Sequence, residues 1–129
     1  MITVVAVYIE KDDKILIARC STGDPNVLGK WEFPGGKVKE NENEFNAIER
    51  EIKEEFELEI VAKDYITNST FVYPTKTVDL KLYRCEYISW HFHLHDHSEY
   101  KFINKKELLH YDLAPADIPL AEYIQKNDK

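Results

Sequence analysis

Between Asn43 and Phe56 the residues Phe45, Ile48, Ile52 and Phe56 recur at intervals of three and four. At 100° per residue they fall within about 80° of one another, which predicts one helix with a single core-facing stripe. Such a helix needs an apolar surface to cover, and the rest of the chain supplies strands. Ile2–Ile9 is β-branched and apolar and predicts a buried strand, and the polar stretch Glu10–Lys14 turns the chain into a second strand, Ile15–Cys20. Ser21–Lys30 reads as a loop, followed by a short apolar piece, Trp31–Phe33, and a tight bend at Pro34-Gly35-Gly36. Further strands are expected at Ile60–Ala62, Thr67–Tyr73, Val78–Trp90 and Glu99–Ile103. Asn104 to Glu107 has a capping-box pattern that opens a short helix near Leu108. A last helix is expected from Asp117-Ile118-Pro119 to about Lys126, with proline in its first turn. This order predicts an α/β or α+β sandwich, and with no linker or repeat the expected unit is one domain over residues 1–129.

Charge narrows the function classes. A chain of 129 residues with a net charge of −7 lacks the basic footprint of a protein that wraps a nucleic-acid polymer. Small anionic substrates stay open, because bound cations can reverse a local field. The start MITVVAVYIE has neither a basic segment nor a long apolar run, so no signal peptide or membrane partner is expected, and the expected location is cytoplasmic. Cys20 and Cys85 lie in apolar strand-like stretches in no metal-ligand spacing, as expected of free thiols in a reducing compartment.

Glu51, Glu54 and Glu55 share an arc of about 100° on the predicted helix, beside its core stripe. Like charges at these spacings repel by about 0.2–0.5 kcal/mol per pair. Either the arc is a solvated face, or a hard cation with oxygen ligands turns the repulsion into binding. Taken alone, the helix allows both. Alternating His91, His93, His95 and His97 share one face of an extended strand, with Trp90, Phe92 and Leu94 on the other. They are read either as chelators of a transition metal or, more simply, as the polar face of a strand end; a magnesium ion for phosphate chemistry is not expected there, because it favours oxygen ligands.

The flanking residues decide more. Gly36, Glu42, Arg50-Glu51-Ile52 and Glu54-Glu55 follow directly on the segment WEFPGG, Trp31–Gly36. This spacing resembles the signature of the Nudix hydrolases, and the WEFPGGK lead-in is similar to their MutT-like branch. Leu113–Pro119, LAPADIP, resembles a late segment of MutT-like and CTP-pyrophosphohydrolase-like members. One position departs: Glu57 stands where the signature has glycine, with Leu58 as the aliphatic residue after it. Because glutamate adopts positive φ at a cost, the helix is expected to end differently here.

The resemblance implies a Nudix-type α/β/α sandwich with a mixed central sheet and a catalytic loop–helix. It implies a Mg²⁺-dependent enzyme (Mn²⁺ as an alternative) that converts a nucleoside triphosphate to the monophosphate and diphosphate. Glu51, Glu54 and Glu55 would be metal ligands, with the Gly35 carbonyl and Glu99 in support. Glu51 is the first candidate for accepting the proton of the attacking water, and Glu99 the alternative. Arg50 and Glu42 would frame the loop–helix geometry, while Gly35 and Gly36 are expected to use their access to φ > 0. Lys37 and Arg19 are read either as phosphate contacts or as exposed charges. Tyr73, Phe71 and Tyr8 offer faces for base stacking or simply fill the core. Asp117 stands where MutT-like members carry asparagine, and is read as a contact to the base edge, as an N-cap, or as both. This departure shifts the expected substrate toward CTP, dCTP derivatives or modified nucleotides, with 8-oxo-dGTP hydrolysis as the alternative. A nucleotide sensor without hydrolysis is a further alternative, and a monomer or homodimer is expected.

Overall fold

The computed structural model describes residues 1–21, 25, 27–89 and 97–127. Among the described residues there are seven strands: β1 (Ile2–Lys11), β2 (Lys14–Cys20), β3 (Trp31–Glu32), β4 (Gly35–Lys37), β5 (Glu59–Val72), β6 (Thr77–Ser89) and β7 (His97–Asn104). The same residues hold two α-helices, α1 (Glu44–Phe56) and α2 (Ile118–Lys126), with 3-10 turns at Lys105–His110 and Pro115–Asp117 leading from β7 into α2. The sheet is mixed, and β1 is its pivot. On one side β1 runs parallel to β6 from Ile2 to Ile9. On the other it pairs with β2 only at Glu10 and Lys11, where the hairpin turns. Farther down, the edge that β2 vacates is taken by β4, so that Val4, Val5 and Ala6 face Lys37, Gly36 and Gly35. β5 flanks β6, and β2 carries β7 and β3, all antiparallel.

Both faces of this sheet are covered, which explains why β1 and β2 read as nearly continuous apolar runs. Val5, Val7, Ile9, Leu16 and Ala18 pack under Ile48, Ile52 and Phe56 of α1. Ala6, Tyr8, Ile15 and Ile17 pack on the opposite face with Leu108, Leu120 and Ile124. The expected sandwich and its mixed sheet are therefore present. Among the described residues no helix is long and apolar enough to cross a membrane.

Several local expectations are corrected. β5 is one strand instead of two: register shifts at Ala62/Asp64 and Tyr65/Thr67 absorb the polar residues that interrupt its apolar pattern. Phe45 is 48% exposed and leaves the core stripe, which Ala47 enters in its place. Its ring instead meets the edge of Tyr83 at 5.5 Å. Gly35 and Gly36 do not bend the chain through positive φ; they are strand residues paired with β1. Glu57 does not divert the helix end. It takes the left-handed conformation itself (φ 52°, ψ 36°), and its N–H bonds the Lys53 carbonyl. The segment near Leu108 is a 3-10 turn, with Asn104 accepting from the Lys106 N–H at 3.0 Å. Trp90 and the histidines His91, His93 and His95 lie outside the described residues, as do 22–24 and 26 of the expected loop.

Candidate active site

The helix α1 begins at an Asn43 N-cap, whose side chain accepts from the Asn46 N–H at 2.8 Å. This cap and the buried stripe beneath fix the helix rotation, and with it the direction of the acidic arc. Glu51 is largely enclosed, with its side chain 14% exposed, whereas Glu54 stands at the rim at 52%. Glu55 is half-buried, with one carboxylate oxygen, Oε2, withdrawn from solvent. Glu49, on the other side of the helix, accepts from the Ala62 N–H at 3.3 Å and holds α1 to the irregular part of β5.

Arg50 ties the loop to the helix. Its Nε and Nη2 donate to the two oxygens of Glu42 at 2.7 and 2.8 Å, a bidentate pair. Nη2 also donates to the Lys37 carbonyl at 3.1 Å, which anchors β4. Nη1 donates to Glu51 Oε1 at 2.9 Å and to Glu54 Oε2 at 3.1 Å. One guanidinium thus gathers two of the three acidic side chains against their own repulsion. Hydrogen bonds from Arg50 and the Lys39 N–H hold the Glu42 carboxyl down at about 2. Arg50 thus bonds Glu42, Glu51 and Glu54 together.

The glycines explain how close this helix comes to the sheet. A Cβ on Gly36 would lie 2.2 Å from the Glu51 carboxylate, and one on Gly35 would lie 1.9 Å from the Val5 carbonyl oxygen. Only residues without side chains allow β4 to lie between β1 and Glu51. The resulting cradle is the side of α1 that meets this strand, which carries the carboxylates of Glu51, Glu54 and Glu55, the ligand class of a hard divalent cation. The residues present fit Mg²⁺ or Mn²⁺ on this ground.

A cavity of about 220 Å³ opens beside the cradle, between the glycine strand and the start of α2. Gly35, Gly36 and Lys37 form one wall; Tyr73, Ala116 and Asp117 form the other. Val4, Val78 and Leu80 also line it, together with Glu32, Phe33 and Lys76. Asp117 is 5% exposed and accepts from the Phe33 N–H at 3.0 Å. It makes no capping bond to α2, so the N-cap reading is corrected: the carboxyl turns back to the β3–β4 connection. Burial, and secondarily the neighbouring Glu32 charge, push its pKa well above the usual carboxylate range. The Tyr73 hydroxyl, on the pocket wall, accepts from the Ala116 N–H at 3.3 Å. Phe71 stays behind it, 4.7 Å from the Tyr73 ring and off the cavity lining.

Three expected residues stand apart from this group. Tyr8 is buried toward the far end of β1, with Lys105 Nζ 5.8 Å from its ring centre, and does not line the cavity. Arg19 and Glu99 are opposite one another on β2 and β7 and pair at 3.2 Å, with Arg19 Nε donating to the Gly29 carbonyl. Glu32 and Lys76 line the cavity and were not singled out from the sequence. Glu32 lay within WEFPGG, but a lone acid in a two-residue strand carries no periodicity, and Lys76 sits in a turn.

Comparison with known proteins gives a consistent picture. Residues 1–128 match the NUDIX domain family. The chain is 35% identical over 122 residues to the CTP pyrophosphohydrolase of Escherichia coli (strain K12), covering 95% of this chain and 90% of that protein. It is 34% identical over 93 residues to the 8-oxo-dGTP diphosphatase of Buchnera aphidicola subsp. Acyrthosiphon pisum (strain APS), covering 72% and 71%. Among solved structures, the MutT protein from Methanosarcina mazei Go1 superposes with a TM-score of 0.86 at 26% identity, covering 99% of this chain and 96% of that one.

Proposed function

The chain belongs to the Nudix hydrolase family, and we propose that it hydrolyses nucleoside triphosphates to the monophosphate and diphosphate with Mg²⁺ as its metal. The observation that carries this reading is the cradle itself: Glu51, Glu54 and Glu55 on one arc of α1, with Gly36 against Glu51 and a cavity alongside. Family members use divalent metals; here Glu51, Glu54 and Glu55 would hold the ion, with the Gly35 carbonyl in support. Bound there, the metal supplies charge neutralisation for the phosphate chain and lowers the pKa of a coordinated water.

The chain's own residues do the rest. Arg50 takes Glu51 Oε1 and so orients the carboxylate, whose other oxygen faces Gly36. That Oε2 is the atom to which the attacking water passes its proton. Lys37 on the exposed end of β4 and Lys76 on the cavity wall offer cationic contacts to the phosphate chain. Tyr73 and the apolar wall of Val4, Val78 and Leu80 exclude water from the base.

Asp117 sets the base preference in this reading. With its pKa raised by burial, the carboxyl can hold a proton and so present a donor and an acceptor together. That pair complements the N3 acceptor and N4 amine of cytosine. The similarity to a CTP pyrophosphohydrolase supports the same direction. A preference for 8-oxo-dGTP is the second reading, favoured by the similarity to 8-oxo-dGTP diphosphatases and met by an ionised Asp117 accepting from the guanine edge. Ranking kcat/KM for CTP, dCTP, 5-methyl-dCTP, dGTP, 8-oxo-dGTP and 2-hydroxy-dATP separates the two. The account expects the cytidine nucleotides to lead; a strong lead for 8-oxo-dGTP overturns it.

A further inference from the structure

Three potential ligands of a different kind meet on the strands behind the cavity. Cys20 closes β2, Glu32 lies in β3 and His97 opens β7, and the irregular register between Arg19 and Cys20 sets Cys20 opposite His97. One ligand atom from each lies within 4.8 Å of the other two. Cys20 is 7% exposed and His97 8%, and the imidazole stacks on Phe56 at 4.9 Å. His97 Nε2 is 3.1 Å from Glu32 Oε2, while Nδ1 is buried with no hydrogen-bond partner among the described residues. The Cys20 thiol lies within the same 4.8 Å of Glu32, so a single carboxylate faces two buried groups.

This grouping has a high desolvation cost and incomplete internal compensation. It contains a half-satisfied imidazole, a buried thiol and a carboxylate, with no Lys or Arg recorded as an ion-pair partner of Glu32 among the described residues. A divalent cation would give the thiol, the carboxylate and one imidazole nitrogen a common partner. One thiolate and one carboxylate balance its two charges exactly in formal terms, and a neutral imidazole adds a nitrogen ligand. Sulfur, nitrogen and oxygen together select zinc or a similar thiophilic ion over magnesium. Glu32 borders the cavity, which provides a path of entry and room for a water in a fourth position.

We propose that Cys20, Glu32 and His97 form a second metal site, specific for Zn²⁺-like ions and separate from the all-oxygen cradle on α1. Binding one ion forms the metal–sulfur bond and releases the Cys20 thiol proton to solvent. The imidazole donates its lone pair without changing charge, and no redox step is involved. An ion there also removes the negative charge of Glu32 from the vicinity of Asp117. The site therefore couples to the base pocket.

Cobalt(II) is the probe, because only a thiolate site gives it a sulfur-to-metal charge-transfer band in the near ultraviolet. The intact protein is expected to show that band, saturating at one equivalent, and to lose it when Zn²⁺ is added. Cys20→Ser should abolish the band, and His97→Gln should weaken cobalt binding by tenfold or more, on the order seen when the support of a metal site is altered. Glu54→Gln should leave the band in place, since its carboxylate belongs to the other site. Circular dichroism confirms that each variant is folded; if Cys20→Ser is not, loss of the band in folded Glu32→Gln takes its place. Absence of the band in the intact protein, or its survival in Cys20→Ser, overturns the proposal.

Discussion

Two adjacent glycines in this chain do different work, and substitution separates them. At Gly35 a Cβ meets backbone, the Val5 carbonyl oxygen, which cannot move without breaking the β1–β4 pairing. At Gly36 it meets the end of a side chain, the Glu51 carboxylate. Gly35→Ala should therefore cost about 1–3 kcal/mol in denaturant unfolding, the usual range for overpacking. Gly36→Ala should unfold near the wild-type midpoint yet lose activity, because Glu51 is pushed from its position under Arg50. Equal losses of stability in the two variants would contradict this distinction. Glu57 offers a third residue-scale test. A non-glycine residue in left-handed backbone costs on the order of 1–2 kcal/mol, so Glu57→Gly should raise stability by about 1 kcal/mol with the activity retained. Unchanged or lowered stability in thermal unfolding would contradict it.

At the scale of elements, the loop–helix unit is held by the Glu42–Arg50 pair, and this makes its integrity depend on pH. The Glu42 pKa falls from 4.5 to about 2 in the folded protein. A depressed carboxylate binds fewer protons when folded than when unfolded. Its stabilisation is therefore fully present above about pH 4.5 and is lost as the pH falls toward about 2. Glu42→Gln should flatten the acid limb of the stability profile in this window, with the wild type and variant converging at its lower end. A variant that keeps the wild-type slope would show that another carboxylate governs it. This unit was also the most legible part of the sequence. The period of Ile48, Ile52 and Phe56 gave the helix, and the spacing from Gly36 to Glu55 gave the partners of Arg50. Its capping at Glu57 was less legible, because propensity disfavours the conformation that the surrounding contacts impose. The role of the glycines was misread for a similar reason: a close approach by Glu51 from a distant helix leaves no local mark on Pro34-Gly35-Gly36.

Across the whole molecule, the sheet that diverges at β1 brings the glycine strand, which lies against Glu51 of α1, and the turn before α2 around one cavity. Runs of apolar residues announced the strands and the two-sided burial. They did not announce which strands would be neighbours, so Glu32 and Lys76 were missed and Tyr8 was left open between the base and the core, where it lies. Glu99 was singled out for its acidity, while its pairing with Arg19 across β2 and β7 depends on a strand register that its own segment does not reveal. Asp117 was found from its place in LAPADIP, while its bond to the Phe33 N–H depends on a contact across 84 positions. The central claim is that the arc on α1 performs diphosphate release. Its most direct test is chromatographic product analysis for CTP with Mg²⁺, comparing the wild type with folded Glu54→Gln. The account predicts CMP and diphosphate from the wild type, with the rate falling on the order of a hundredfold or more in the variant, the effect of losing several kcal/mol of charge stabilisation. Release of CDP and phosphate, or wild-type turnover in the variant, would contradict it.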